Sequence, residues 1–289
     1  MKIILSRKGF DSSTGKNASP IFDNNIMISL PIPDDSANIN YKELYNKRYG
    51  NYYKLLKKIA PKKEFTTCHL DPDINKNIYA RDRGWRGLFG QSDKAQSHLE
   101  SQEVRAGDLF LFYGWFKHVK EIGDKIEYAE DKEYCDGKHV IFGYMQIDKI
   151  IPINYRIKIQ NSSPISGKSD IKWPKWMKYH PHISEEGRDE KINCIYVASK
   201  TLSWNNKIPG FGTFDYSNKL VLSAPREASR TTWELNSCFK DKVLSWNGGR
   251  RVGNDRFFSI SDRGQEFVVD ATPDIETWAK SLIIGGLNV

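Results

Sequence analysis

The chain predicts an α+β fold, rich in β-structure and organised as one unit around a small, strongly curved barrel flanked by helices. Three observations carry this. The apolar runs at 109–116 (LFLFYGWF) and 139–147 (HVIFGYMQI) are too continuous for strands with one wet face, so both strands should be buried on both sides. Gly114 and Gly143 lie inside them, where glycine marks a bulge or a sharp bend and so a curved sheet. Further short apolar runs recur along the chain, while only three stretches have a helical period.

In order, 3–5 reads as a buried strand, since the opening MKIILSRKGF returns to charge too soon for a signal peptide. A polar loop covers 6–20. A second strand is expected at 26–30, closed by the Pro31-Ile32-Pro33 turn. From 41 to 60, Tyr41, Leu44, Tyr45, Tyr49, Tyr52, Leu56 and Ile59 form an amphipathic stripe, read as one helix. Gly50 weakens it by about 1 kcal/mol and Pro61 ends it. Residues 65–69 form a strand, turned by Asp71-Pro72-Asp73. A helix over 92–103 is capped by Ser92, with Asp93 in its first turn. The charged stretch 117–138 is an excursion between the two long strands.

Residues 155–191 are a polar excursion carrying Pro174, Pro181 and Asn161-Ser162-Ser163. Strands resume at 194–198, 219–223, 256–260 and 266–269. Thr272-Pro273 opens a last helix with Ile275, Trp278, Ala279 and Leu282 on its inner face. No repeat or clear linker divides the chain, so 1–289 is read as a single domain, with a split near residue 155 as the alternative.

A chain of 289 residues with 39% hydrophobic and 12% aromatic residues can bury a core, which excludes wholesale disorder. The net charge of +8 fits phosphate-bearing partners, and equally an evenly basic surface. The four cysteines contain no C-x-x-C pair. They read as reduced thiols of a cytoplasmic protein and exclude a zinc ribbon or dithiol redox site. No run approaches the ~18–20 apolar residues that span a bilayer, so no membrane partner is expected.

Six constellations could carry chemistry. The loop Arg7 to Lys16 offers glycines, hydroxyls and cations to a phosphate or sugar, with Arg7, Asp11 and Ser12 foremost. It is no P-loop, because Gly9 and Gly15 are spaced one residue too far apart and Asn17 replaces the metal-binding Ser or Thr. In CHLDPD, His69 is a candidate acid or base oriented by Asp71 or Asp73, and Cys68 a nucleophile only if a neighbour lowers its pKa. The bland reading there is a core cysteine before an aspartate-built turn. Arg81, Arg83 and Arg86 surround Trp85, a set that binds phosphate and stacks on bases unless the indole is merely anchored in the core. Gln91, Gln96, His98 and Gln102 could read base edges, hold a substrate hydroxyl or be ordinary helix positions. His180-Pro181-His182 offers two imidazoles, with Cys194 or Cys68 as further ligands, but at no diagnostic spacing, so no metal site is expected. Arg263-Gly264-Gln265-Glu266 and Asp270 are either site or turn residues.

The stretches SRKGFDSSTG, SPIF, LPIPD, HLDPD, RGWRGLFGQSDKAQSHLESQEVRAGDLFLFYGWF, HVIFGYMQIDKI, HPHI, IYVASKTL, PGFGTF and RGQEFVVD resemble the third of the nucleotide modification associated domains of bacteria and their phages. The likeness extends from residue 6 to 270. It implies a link to hypermodified DNA or phage–host conflict, and an enzyme without naming a reaction or a cofactor. The family pattern falls on Arg7, Asp11, Ser12, His69, Asp71, Arg83, Trp85, Gln91, Gln96, His98, His180, His182 and Gln265. The chain departs from it at Ser92-Asp93-Lys94 and in the lysine-rich stretch before Pro174. Separately, the two glycine-bent strands are similar to barrels of the PUA, ASCH and YTH-like superfamily. That likeness implies that Tyr113, Trp115 and Tyr144 stack on a base. The expected function is an enzyme acting on nucleobases in DNA or on nucleotides, by base modification or N-glycosidic chemistry, with Asp11, His69 and Asp71 catalytic. The alternative is a non-catalytic reader of modified bases.

Overall fold

The computed structural model describes residues 1–157, 165–168, 172–184, 192–227, 229–246, 250–252, 257–260 and 266–286. Its principal strands are β1 (Lys2–Arg7), β2 (Ser19–Ile21), β3 (Ile32–Pro33), β4 (Ile39–Asn40), β5 (Thr67–His69), β6 (Leu88–Ser92) and β7 (Leu109–Ile122). They continue with β8 (Lys125–Tyr128), β9 (Lys138–Ile157), β10 (Ile165–Lys168), β11 (Asn193–Ala198), β12 (Phe211–Thr213) and β13 (Glu266–Asp270). The helices are α1 (Tyr52–Ile59), α2 (Asp93–Ser101), α3 (Pro181–Ser184) and α4 (Pro273–Gly286).

One ten-stranded sheet organises the molecule, in the order β13-β1-β7-β9-β11-β6, with β2 and β8 added to β7 and β10 and β12 added to β9. The two continuous apolar runs become its central strands, as their pattern requires. Leu109 to Gly114 are buried without interruption in β7. β1 lies parallel to β7 and antiparallel to β13, which explains why Ile3, Ile4 and Leu5 are all buried rather than alternating. At Gly143 the β7–β9 register shifts, a bulge, and a Cβ there would fall 2.4 Å from the Ile74 side chain and 2.8 Å from the Gly212 carbonyl. The glycine therefore bends β9 and lets two segments close on it.

The expected curvature is present and the expected barrel is not. Among the described residues the sheet is an open path whose end strands, β13 and β6, do not pair. They approach through side chains, with Gln91 Nε2 donating to Glu266 Oε1 at 2.6 Å. The concave side is filled by aromatics: Phe89 packs edge-on to Phe110 and Phe112 at 4.9 and 5.3 Å and stacks on Tyr196 at 5.6 Å.

Three local expectations are corrected. The 41–60 stripe gives only α1. Gly50 adopts φ +74 and Asn51 caps the helix by accepting from the Lys54 amide, so the chain before it is turns and a two-residue hairpin. Tyr41, Leu44 and Tyr52 are nonetheless buried together in a second core with Leu55 and Leu56. Residues 26–30 make one isolated bridge, Met27 to Ile21, because Leu30 donates its amide to Ser19 Oγ instead of a strand. Residues 219–223 are a 3-10 turn and two bridges. The expected strand at 256–260 is seen at Phe257–Ser259, and 161–163 and 263–265 lie outside the described residues. No helix among the described residues is long and apolar enough to cross a membrane.

Candidate functional site

β5 is the middle strand of a three-stranded sheet, paired to β3 through Ile32–His69 and to β4 through Ile39–Cys68. That pairing sets His69 beside Asp34, which follows β3, and His69 Nδ1 lies 3.2 Å from Asp34 Oδ2. The His69 ring, assisted by Ser36, holds the Asp34 carboxyl far below the usual range.

Two residues on, the Asp71 side chain is 5% exposed and accepts from the Gly90 amide of β6 at 2.8 Å. His182, from α3, and His180, the residue before that helix, close around it. His180 Nε2 is 3.3 Å from Asp71 Oδ1 and His182 Nε2 is 3.9 Å from Oδ2. The His69 and His182 rings meet edge to face at 5.1 Å. Burial works to raise the Asp71 pKa, but contact with His180 and the charges of His180, His182 and Lys8 outweigh it and bring it down to about 2. Burial lowers His182 to about 3 against the pull of Asp71, so its imidazole is neutral at pH 7. One ring nitrogen from each of His69 and His182 and one Asp71 oxygen lie within 4.8 Å of one another, close enough to share a cation.

Gly90 makes the arrangement sterically possible. A Cβ there would fall 2.2 Å from His182 Cδ2, so only glycine allows the ring to lie on β6. His182 is fixed from behind by Asn193, the first residue of β11. Asn193 Nδ2 donates to the His182 carbonyl at 3.2 Å, which turns its Oδ1 towards His182 Nδ1 at 2.8 Å. The amide orientation thus assigns the ring proton to Nδ1 and leaves Nε2 facing Asp71.

His69, Asp71 and His182 border a cavity of about 230 Å³ shared with Arg7, Lys8, Asp11, Thr14, Gln91 and Ser92. Two of its lining residues, Lys8 and Gln91, are held by a buried carboxylate, Glu266, which accepts from Ser6 Oγ at 3.1 Å, Lys8 Nζ at 3.2 Å and Gln91 Nε2 at 2.6 Å. Burial raises its pKa despite these partners. Gly114 lets Lys8 approach, since a Cβ there would sit 2.8 Å from the Lys8 carbonyl.

The residues expected from sequence divide sharply. Arg7, Asp11, His69, Asp71 and Gln91 come together at the cavity, joined by His182, while His180 packs against Asp71; a metal-spacing argument had set both histidines aside. Asp11 is spoken for by its own turn, Oδ1 accepting from Ser13 N, Ser13 Oγ and Thr14 N at 2.6–2.8 Å. Ser12 is exposed and receives a hydrogen bond from Arg230. Burial raises the Cys68 thiol far above its ordinary pKa, which removes it as a nucleophile. All four cysteines are free thiols. Gln96 is buried between Glu100 and the Tyr196 hydroxyl, and His98 bonds Ser245 Oγ at 2.8 Å. Tyr113 and Tyr144 are wholly buried in the core and offer no open stacking face, while Trp115 is half-buried with Arg230 over its ring. Gln265 lies outside the described residues. Asp34 and Asn193 were missed as site groups, and nothing in their local sequence marks them; Lys8 belongs to the loop read as a phosphate cradle, and Glu266 to the stretch left open between site and turn.

Arg81, Trp85 and Arg86 belong to a second feature. Arg81 forks onto Asp73 and lies over the Trp85 ring at 3.9 Å, whose indole also donates to Asp73 at 3.2 Å. Arg86 pairs with Asp148 at 2.8 Å, and Arg83 is exposed on the adjoining turn. Trp85 and Arg86 line an open cleft of about 910 Å³ together with Lys76, Lys149, Trp176 and Lys200. Asp71 borders the cavity and Ile74 and Asn75 of the same loop border the cleft.

Comparison with known proteins gives one match. A family model described as nucleotide modification associated domain 3 matches residues 2–270. No curated protein and no solved structure matches the chain. A match over this extent covers the sheet, the histidine cluster and the cleft alike, and the chain therefore belongs to the nucleotide modification associated domain 3 family.

Proposed function

We propose that the protein is an enzyme acting on a nucleobase of DNA or of a nucleotide, with the cavity as its reaction centre and the cleft as the path of the strand. The observation that carries this is the convergence of His69, Asp71 and His182 on a cavity that Arg7 and Lys8 also line, with His180 packed against Asp71. Buried ionisable groups with few partners cost stability, and a fold keeps them where they act. The family description supports nucleotide chemistry. The cavity, smaller than the roughly 300 Å³ of a drug-sized pocket, suits one base or one phosphate.

Modification of the base accounts for the site better than cleavage of the glycosidic bond. That cleavage needs a second carboxylate near the sugar, and Asp11 is occupied by its own turn. The cleft, with three lysines and two half-buried indoles, has the composition of a single-strand groove. A base would leave it for the cavity by flipping. The buried Tyr113 and Tyr144 lend no support to an aromatic-cage reader.

Cells supply whatever co-substrate the reaction needs, so the test belongs there. DNA and nucleotide pools from cells making the protein, or its Asp71→Asn variant, are digested to nucleosides and analysed by mass. A new or depleted nucleoside is expected with the native chain, falling at least ~100-fold with the variant. Identical profiles, together with salt-sensitive binding of the purified protein to modified DNA, would establish the reader instead.

A further inference from the structure

We propose that His69, Asp71 and His182 bind one divalent first-row transition-metal ion, with His180 positioning Asp71. The proposal deepens the enzymatic reading of the same site, and it is decided by a separate measurement.

The donor set is two imidazoles and one carboxylate, which suits Fe(II), Mn(II), Co(II) or Zn(II) better than the all-oxygen shells that Mg(II) and Ca(II) take. The ligands come from the end of β5, the loop after it and α3, so they are assembled by the fold and not by one turn of chain. Three ligands of one ion at ~2.1 Å stand about 3.0–3.6 Å from one another. The observed spread of up to 4.8 Å closes with shifts of about 0.6–0.9 Å in each side chain.

What stands behind each ligand is more telling. Metal-binding histidines hand their second nitrogen to a carboxylate or carbonyl, which fixes the ring and raises its basicity. His69 Nδ1 has the Asp34 carboxylate at 3.2 Å and His182 Nδ1 has the Asn193 carbonyl oxygen at 2.8 Å. Asp71 is held by the Gly90 amide. As a hydrogen-bond network the cluster is poor. The 3.9 Å between His182 Nε2 and Asp71 Oδ2 is too long for a hydrogen bond. His180 is 3% exposed, yet neither of its ring nitrogens has a well-formed partner among the described residues. Three protein ligands leave positions open, and the cavity lies on that side, the arrangement of a catalytic rather than a structural centre.

The full-length chain, stripped with a chelator, is titrated calorimetrically with Zn(II), Co(II) and Mn(II) while its unfolding midpoint is followed. One ion per chain is expected, with a midpoint that rises with metal concentration. His69→Ala and His182→Ala should each weaken binding at least ~100-fold. Asn193→Leu keeps all three ligands and should weaken it ~10–100-fold, so the second shell is tested even if a ligand variant fails to fold. Absence of stoichiometric binding of all three ions to the native chain overturns the proposal, as does tight binding that survives both histidine variants. Metal binding with unchanged nucleosides would sink the enzyme and spare the metal site. Asp71-dependent product from a chain that binds no ion would do the reverse.

Discussion

Asp71 is where the site's chemistry and its steric constraints meet. Its carboxylate meets an amide from β6 and two imidazoles, one from α3 and one from the residue before it, and sequence reading passed over the neighbours that hold them. Gly90 is the clearest example. In Gly90→Ala, the new methyl would fall 2.2 Å from the His182 ring, so the ring must leave Asp71. A loss of about 1–3 kcal/mol is expected from overpacking, read by chemical denaturation, with metal affinity falling in parallel. Retention of both would show that the ring has another resting place. At this scale the sequence exposed His69, Asp71, His180 and His182 as chemically able groups, since residue type is written in it. It could not show that Asp34 and Asn193 orient two of them, because Asp34 is ordinary in its loop and Asn193 opens a strand. Nor could it show that Gln96, Tyr113 and Tyr144 are core.

At the scale of elements, β9 carries a buried histidine whose ring joins two sheets. Trp233, in the short strand Thr232–Trp233, donates its indole N–H to His139 Nδ1 at 3.0 Å. Burial, then the charges of Arg230 and Arg7, lower the His139 pKa well below 6.5. The neutral ring accepts and the charged ring cannot. Below about pH 6.5 the unfolded chain binds a proton that the folded chain refuses, so stability falls as pH falls. His139→Gln retains an acceptor and cannot titrate. Between pH 6.5 and 5.5 it should flatten the dependence of unfolding free energy on pH by up to one proton, ~1.4 kcal/mol per pH unit. An unchanged slope would assign the proton uptake to other groups. The long strands and α4 were legible as elements because their apolar patterns are strong, and α2 because Ser92 and Asp93 mark its start, although the Ser92 side chain makes no capping hydrogen bond. The 41–60 stripe misled because buried positions in an irregular segment can fall three and four apart, and Gly50 with the Asn51 cap, both visible in the sequence, outweighed the periodicity.

Across the whole molecule, the curled sheet brings its two end strands within one side-chain bond of each other and puts the cavity at that gap, with the basic cleft on the far side of the Asp71–Asn75 loop. If the cleft holds a strand by its phosphates, Lys149→Ala and Lys200→Ala should each reduce the slope of log affinity against log salt by about 0.7, and both together by about 1.4. Binding to single-stranded DNA across a salt series checks this, and an unaltered slope would place the DNA elsewhere. The sequence by itself determined the strand-rich composition, the buried character of the central strands, the family, and which side chains could do chemistry, because hydrophobic pattern and residue type are local properties. Whether the sheet closed was left to the tertiary structure, since closure depends on pairing between strands at opposite ends of the chain. The same holds for the assembly of the histidines on Asp71: residues distant in sequence become neighbours only after the sheet has curled and α3 has packed on β6 and β11.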